Sequence, residues 1–307
     1  MLRAIVLGAA AGGGVPQWNC NCEICRKART EPSLRGTQAS VAISCDDQNW
    51  FLINASPDIR QQINATPQLY PAGEAIRHSP IAGVFLTNGE VDAVAGLLSL
   101  REGSPFSIYA HPKVLSVLDA NGIFNVLNPQ IVPRRSIEVE KPFAPSLADG
   151  RPSGLEVTAF FVPGKPAWYL ENLAGAERTE SEGDTIGLHV RALDGGELFF
   201  LAACAEITAD LAARIDGAPL IFFDGTLWRD DEMIAAGLGK KTGARMGHIS
   251  ISGEDGALRK LAGLKLGKKV FLHINNSNPV LLPGSAERRQ AEEAGWHIAY
   301  DGMELTS

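Results

Sequence analysis

The sequence of 307 residues lacks an apolar run long enough to cross a membrane. It also lacks an excess of basic charge, since 28 lysines and arginines stand against 35 acidic residues. The second absence argues against a general nucleic-acid-binding protein, because that role needs a basic surface to neutralise phosphates. Residues 1–17 hold a short apolar stretch that runs into a glycine cluster, which predicts a strand and a turn rather than a signal peptide. We therefore expect a cytoplasmic protein without a membrane span.

Cysteine is scarce, and the five cysteines are odd in number and clustered, which does not suit a secreted disulfide framework. Three of them form the C-x-C-x-x-C run of Cys20, Cys22 and Cys25. Thiolates at this spacing can converge on one tetrahedral Zn²⁺, so we predict a structural zinc knuckle at about residues 16–26. No cysteine or histidine nearby offers a fourth ligand, and Asn276 is our candidate. The alternative is a chance cluster of small core residues.

Glycine and proline are frequent, at 32 and 18 residues, which favours many tight turns over a helical bundle. No repeat and no linker composition interrupts the chain, so we predict one α/β domain over residues 1–307, with mixed sheets and helices outside. The predicted strands are 3–7, 40–44, 50–53, 81–86, 107–110, 157–162, 185–192, 197–202, 220–223 and 270–274. The predicted helices are 23–30, 58–63, 94–100, 112–121, 210–214, 251–261 and 285–294, and residues 133–154 are predicted as loop.

Four acids and histidines lie beside or within apolar runs. Asp92 comes after a predicted buried strand and Asp224 ends one, whereas His248 precedes an apolar stretch and His273 lies inside a predicted strand. Catalytic groups favour such positions. Carboxylates together with imidazole suit Fe²⁺, Mn²⁺ or Zn²⁺, and two carboxylates with one histidine can form a facial, open metal site. Each residue also has an ordinary structural interpretation: Asp92 as a helix cap, Asp224 as a turn residue and His273 as a core histidine.

A short basic stretch stands out in this acidic chain. Lys240, Lys241 and Arg245 precede His248 and favour a ligand that carries carboxylates or phosphate. Arginine is the better bidentate partner of a carboxylate. We further expect Ser250 to be the partner of His248. The alternative interpretation of the charge run is a solvated loop.

Six segments in this order resemble the coenzyme PQQ synthesis protein B family of the metallo-β-lactamase superfamily, and the resemblance covers nearly the whole chain. The segments are GGGVPQWNCNCEIC, INASPDIRQQ, TNGEVDAVAGLLSLREG, FFDGTLW, MGHISISG and LHINNSNPV. The superfamily carries H-x-H-x-D-H after a strand. Here that stretch keeps Asp92, whereas the three histidine positions are Asn88, Glu90 and Ala93.

The resemblance implies an αββα sandwich of two mixed sheets flanked by helices, and a role in the biosynthesis of pyrroloquinoline quinone (PQQ). It implies an Fe²⁺-dependent, O₂-using hydroxylase of the tyrosine ring in a cross-linked Glu–Tyr precursor, with Zn²⁺ or Mn²⁺ able to replace iron in the purified protein. Asp92, Asp224 and His273 would hold the metal, with His248 as acid or base. Lys240, Lys241 and Arg245 would pair with substrate carboxylates.

Two alternatives stay open at this point. One is a non-catalytic carrier or transport-assisting protein for PQQ or its precursor, which the alanine at position 93 favours, since alanine cannot coordinate a metal. The other is a metal-dependent hydrolase, which the loss of the first histidine pair disfavours. The expected partners are the precursor, PQQ itself and other proteins of the pathway. The sequence leaves the oligomeric state open, a homodimer included.

Overall fold

The computed structural model describes residues 1–170 and 183–307. Its strands, in chain order, are β1 Arg3–Gly8, β2 Ser40–Ser44, β3 Trp50–Ile53, β4 Ile81–Leu86, β5 Ser107–Ala110, β6 Arg134–Ser136, β7 Leu155–Phe161, β8 Ile186–Ala192, β9 Glu197–Leu201, β10 Leu220–Asp224, β11 Lys268–Leu272, β12 Trp296–Ile298 and β13 Glu304–Thr306. The α-helices are α1 Glu23–Thr30, α2 Ile59–Ala65, α3 Val91–Val94, α4 Pro112–Ala120, α5 Ala209–Ile215, α6 Glu232–Ala235, α7 Gly243–Met246, α8 Ala257–Lys260 and α9 Ala286–Glu293.

The described strands form two mixed sheets. The first has the order β13-β1-β2-β3-β4-β5-β6, in which β3 to β6 run parallel and the pairs from β13 to β3 run antiparallel. The second has the order β12-β11-β10-β9-β8-β7, with β9 to β12 parallel and β7 to β9 antiparallel. The central parallel strands β3, β4, β5 and β10 are buried at every position, because both faces of these sheets are covered.

The two sheets pack face to face around a shared core. Ile53 and Phe85 of the first sheet belong to one buried apolar cluster with Leu188, Phe222 and Val270 of the second. The alternate side chains of the strands point outward, where α2 and α4 cover the first sheet and α5, α8 and α9 cover the second. The result is a four-layer αββα sandwich. No helix in the described ranges is both long and apolar enough to cross a membrane.

Several predicted elements agree with the structure and three do not. The predicted strands 40–44, 50–53, 81–86 and 107–110 are confirmed at both ends. The predicted helix 251–261 is wrong except for α8, because Gly256 approaches Ser252 so closely that a Cβ would lie 2.2 Å from its carbonyl oxygen. The predicted helix 94–100 is mostly a 3₁₀ segment, since the Gly96 N–H donates to Ala55 outside it. The predicted loop 133–154 contains β6.

The topology brings the ends of the parallel strands to one edge of the sandwich. Asp224, at the end of β10, is paired in register with Leu272, and His273 follows directly. The loop after β4 leads to α3, which carries Asp92 in its first turn. Since the crevice at the carboxyl ends of parallel strands is the usual ligand site in such sheets, this edge is where a functional site is expected.

Candidate active site

Asp224 is fully buried, and each of its carboxylate oxygens accepts two hydrogen bonds. Oδ2 accepts from the Cys204 backbone N–H at 2.8 Å and lies 2.7 Å from Nδ1 of His248. Oδ1 accepts from the backbone N–H of Thr226 at 3.0 Å and from its hydroxyl at 2.7 Å. Two carboxylate oxygens offer about four lone-pair positions, so this acceptor capacity is used in full. A metal bound here by Asp224 would replace its contact with His248.

Thr226 joins the two histidines of the site. Its Oγ1 lies 3.1 Å from Nδ1 of His248 and 2.9 Å from Nδ1 of His273, in addition to its bond to Asp224. The two imidazole rings stack with centroids 5.1 Å apart. With its Nδ1–H donating to this hydroxyl, His273 could ligate a metal through Nε2 after Nε2 gives up the proton that it donates to Asp92.

Asp92 reaches His273 from the other sheet, with Oδ2 2.9 Å from Nε2. Burial raises the pKa of Asp92, but the hydrogen bond from His273 and its positive charge outweigh burial, and the pKa is lowered overall. Burial lowers the pKa of His273, but the hydrogen bond to Asp92 and the negative charges of Asp92, Asp224 and Glu90 together outweigh it, so that this pKa is raised. The Gly12 backbone lies against the same carboxylate, since a Cβ there would be 3.3 Å from Oδ2.

These residues fit a metal ion. One donor atom each from Asp224, His248 and His273 lie within 4.8 Å of one another, and Asp92 touches His273. Mixed carboxylate and imidazole donors suit Fe²⁺, Mn²⁺ and Zn²⁺. The sequence-based ligand set named Asp92, Asp224 and His273; the structure adds His248 to the same cluster.

The positions that differ from the superfamily pattern do not point to a second metal. Glu90 Oε1 accepts from Lys165 Nζ at 2.9 Å and from the Trp168 backbone N–H at 3.0 Å. Asn88 Oδ1 accepts from the backbone N–H of Glu90. Ala93 is buried, and its carbonyl accepts from Ala55. Each of these groups has a structural role of its own.

An open cleft of about 740 Å³ lies over the cluster. Its floor includes Asp92, His248 and His273, and its walls are apolar, aromatic and basic. The walls include Trp18, Glu90, Lys165, Trp168, Met233, Lys241 and Met246.

The structure places one of the four predicted substrate-binding residues on this cleft. Lys241 lines it, whereas Lys240 and Arg245 are exposed to solvent away from it. Arg245 lies on the short helix α7, and only one side of this helix faces the cleft. The predicted contact between Ser250 and His248 is also wrong, because the Ser250 hydroxyl donates to the carbonyl of Ser252 and His248 contacts other groups.

The three sulfurs of Cys20, Cys22 and Cys25 lie within 4.8 Å of one another. The Asn276 side-chain amide lies 3.1 Å from the Cys20 sulfur, 3.2 Å from that of Cys25 and 3.7 Å from that of Cys22. Backbone N–H groups of Gln17, Cys22 and Cys25 also point at these sulfurs. Three convergent thiols with donors that favour the thiolate fit a Zn²⁺ ion.

Sequence reasoning did not name Thr226, Glu90 or Trp168, which the structure places on the cleft. Thr226 stands two positions after Asp224, and a hydroxyl beside a buried acid is the signal that could have identified it. Nothing local indicates that Glu90 contacts Lys165, since 75 positions separate them.

The chain resembles known proteins over its full length. A family model described as a beta-lactamase superfamily domain matches residues 49–274. Coenzyme PQQ synthesis protein B of Rhodopseudomonas palustris is 66% identical over 307 residues, which is 100% of both chains. The protein of that name from Gluconacetobacter diazotrophicus is 52% identical over 312 residues, again with 100% of both chains covered.

Solved structures confirm the predicted fold. The crystal structure of Zn²⁺-bound PqqB from Methylobacterium extorquens matches with a TM-score of 0.93 and 48% identity, over 99% of each chain. A diphosphatase of the PhnP family, at 20% identity and a TM-score of 0.69, shares the fold over 100% of this chain and 97% of its own. The αββα sandwich of two mixed sheets is thus a metallo-β-lactamase fold.

Proposed function

Because this chain belongs to the coenzyme PQQ synthesis protein B family, we propose that it acts in PQQ biosynthesis as an iron-dependent, O₂-using hydroxylase of the tyrosine ring in the cross-linked Glu–Tyr precursor. The observation that carries this proposal is the cluster of Asp92, His248 and His273 at the floor of a large open cleft, with Asp224 buried in contact with His248. Fe²⁺ held by this mixed donor set would supply the one-electron chemistry that lets O₂ react with an aromatic ring.

The chain's own groups can bind and orient such a substrate. Lys241 lies on the cleft and suits a carboxylate of the amino acid pair, by a charge-assisted hydrogen bond. The aromatic and thioether walls suit the phenol ring. His248 has Nδ1 directed at Asp224, so a proton taken from or given to the substrate would pass through Nε2. Asp224 would either orient His248 through this contact or give the contact up and ligate the metal.

Each hydroxylation replaces one aryl C–H bond with C–OH, using one O₂, two electrons and two protons, and releases one water. We propose that a small-molecule reductant of the ascorbate class supplies the electrons. The same cleft does not favour a dinuclear hydrolase, because Glu90 is held by Lys165 and by the backbone of Trp168.

The test is a single-turnover experiment. Protein loaded with Fe²⁺ without oxygen receives the cross-linked Glu–Tyr compound, ascorbate and then O₂, and the product is weighed by mass spectrometry. A gain of one or two oxygen atoms that requires Fe²⁺ and uses oxygen from labelled O₂ supports the hydroxylase. Unchanged mass with the ligand still bound refutes it and favours the carrier. Hydrolytic fragments would favour the hydrolase.

A further inference from the structure

Two tryptophan side chains of the protein are exposed, and both line the cleft. Trp18 is 86% exposed and Trp168 is 66% exposed, whereas Trp50, Trp228 and Trp296 are at most 8% exposed. These are all five tryptophans of the sequence. Exposed apolar groups gathered at one cleft mark a binding surface, and an indole face suits a planar ring.

The segment that carries Trp168 is fastened to the loop before α3. Glu90 accepts from the Trp168 backbone N–H and from Lys165, and the Tyr169 hydroxyl donates to the carbonyl of Gly89 at 2.6 Å. Both partners of the ion pair are mostly buried, with side-chain exposures of 21% for Lys165 and 29% for Glu90. We call residues 165–169 the aromatic wall.

The aromatic wall also touches the other side of the site. The Lys165 side chain crosses Gly247, where a Cβ would lie 3.1 Å from Cγ of the lysine. Gly247 has a φ of +86°, which favours glycine. His248 follows it directly. The aromatic wall therefore links the loop that precedes Asp92 to the loop that carries His248. Glu90 makes the main polar contacts between the wall and the loop that precedes Asp92.

From this geometry we infer that Glu90 is a positioning residue, which holds the aromatic wall so that Trp168 contacts the ring of the bound substrate. The carboxylate stands where the superfamily has a metal-binding histidine, but here it fixes a wall of the cleft instead. The identity of the ring rests on the proposed function. The role of Glu90 and Trp168 in binding does not depend on turnover.

The first experiment measures binding without catalysis. In a Trp18→Phe background Trp168 is the one exposed tryptophan, and its emission is followed while zinc-loaded, oxygen-free protein is titrated with the cross-linked Glu–Tyr compound and, separately, with PQQ. We expect quenching in this background and none when Trp168 is also replaced by Phe. Trp168→Leu should weaken binding roughly three- to tenfold, since an aromatic contact is lost.

The second experiment tests Glu90. Glu90→Ala should raise Kd and KM about tenfold, because a hydrogen bond to a charged group is lost. It should leave kcat and the Fe²⁺ affinity within threefold of wild type, since the metal cluster is untouched. Glu90→Gln keeps an oxygen acceptor for the Trp168 N–H and should recover part of the loss. Glu293→Gln, at an exposed helical position, is the matched control and should change nothing.

Two outcomes would overturn the inference. A fall in Fe²⁺ affinity with unchanged ligand Kd in Glu90→Ala would place Glu90 in the metal site. Unquenched Trp168 emission with ligand demonstrably bound by calorimetry would show that the wall does not contact the ring. Quenching by the ligand in a protein that never hydroxylates it would refute the proposed function and leave this inference standing.

Discussion

Thr226→Val is the change that tests the site most sharply. It removes one hydroxyl that contacts Asp224 at 2.7 Å, His273 at 2.9 Å and His248 at 3.1 Å, and puts a methyl group of similar size in its place. The lost bond to a buried carboxylate should lower the free energy of unfolding by about 2–3 kcal/mol. His273 also loses the acceptor of its Nδ1 proton, whereas His248 keeps its Nδ1 contact with Asp224. Loss of such a partner of a metal-binding histidine typically costs about 10–100-fold in metal affinity.

The assay separates these two effects. Anaerobic Fe²⁺ titration against a chromophoric chelator, with the knuckle already loaded with zinc, gives the metal affinity, and urea unfolding of the zinc-loaded protein gives the stability. Thr226→Ser keeps the hydroxyl and should bind Fe²⁺ within about threefold of wild type, since the polar partner remains. Thr66→Val is the matched control. Thr66 is buried and its hydroxyl donates to the Gln62 carbonyl, and neither residue belongs to the candidate metal cluster. It should lose about 1 kcal/mol of stability and no metal affinity.

The reasoning is refuted if Thr226→Val binds Fe²⁺ within twofold of wild type. That result would mean that the histidines hold their orientation without the hydroxyl. An equal loss of affinity in Thr66→Val would show that the effect comes from general destabilisation.

The remaining predictions concern the metal ligands, the knuckle and the cleft. Asp92→Ala and His273→Ala should each abolish turnover while circular dichroism stays native; near-normal activity in both would contradict the site. Cys22→Ser should lose zinc and lower the melting temperature, because structural zinc binding is folding free energy; unchanged zinc content and melting temperature would refute the knuckle. Lys241→Ala should raise KM for the cross-linked Glu–Tyr compound about tenfold, whereas Lys240→Ala, one residue away but outside the cleft, should leave KM within twofold; equal effects would show that the lysines act only through general charge.

Two members of the candidate metal cluster, Asp224 and His273, were predictable because one lies at the end of a strand and the other directly after one. Apolar runs predict β10 and β11, and the acid or histidine that follows each run must then lie at the same edge of the sheet. The in-register pair of Asp224 and Leu272 shows how directly this placement follows from strand pairing. The convergence of the Cys20, Cys22 and Cys25 thiols was predictable because they are close in sequence.

The walls of the cleft could not be predicted in this way. The basic stretch of Lys240, Lys241 and Arg245 offers three residues that look equivalent in sequence. Only Arg245 lies on α7, which is one turn long, and the direction of each side chain depends on how the segment packs. Glu90 and Lys165 meet only because the two sheets come together at this edge. Contacts between distant segments leave no periodic signal in a single sequence.

The alanine at position 93 shows why this site suits one metal ion rather than two. Ala93 is 2% exposed, and the void beside it is about 10 Å³, lined by Asn54, Asp92 and His273 among others. A space of that size holds about one water molecule and cannot receive an imidazole ring. With Glu90 attached to the aromatic wall, neither position 90 nor position 93 can lend a ligand without repacking its surroundings. Restoring a histidine at position 93 alone would therefore overpack the site and should destabilise the fold by about 1–3 kcal/mol, rather than create a second metal site.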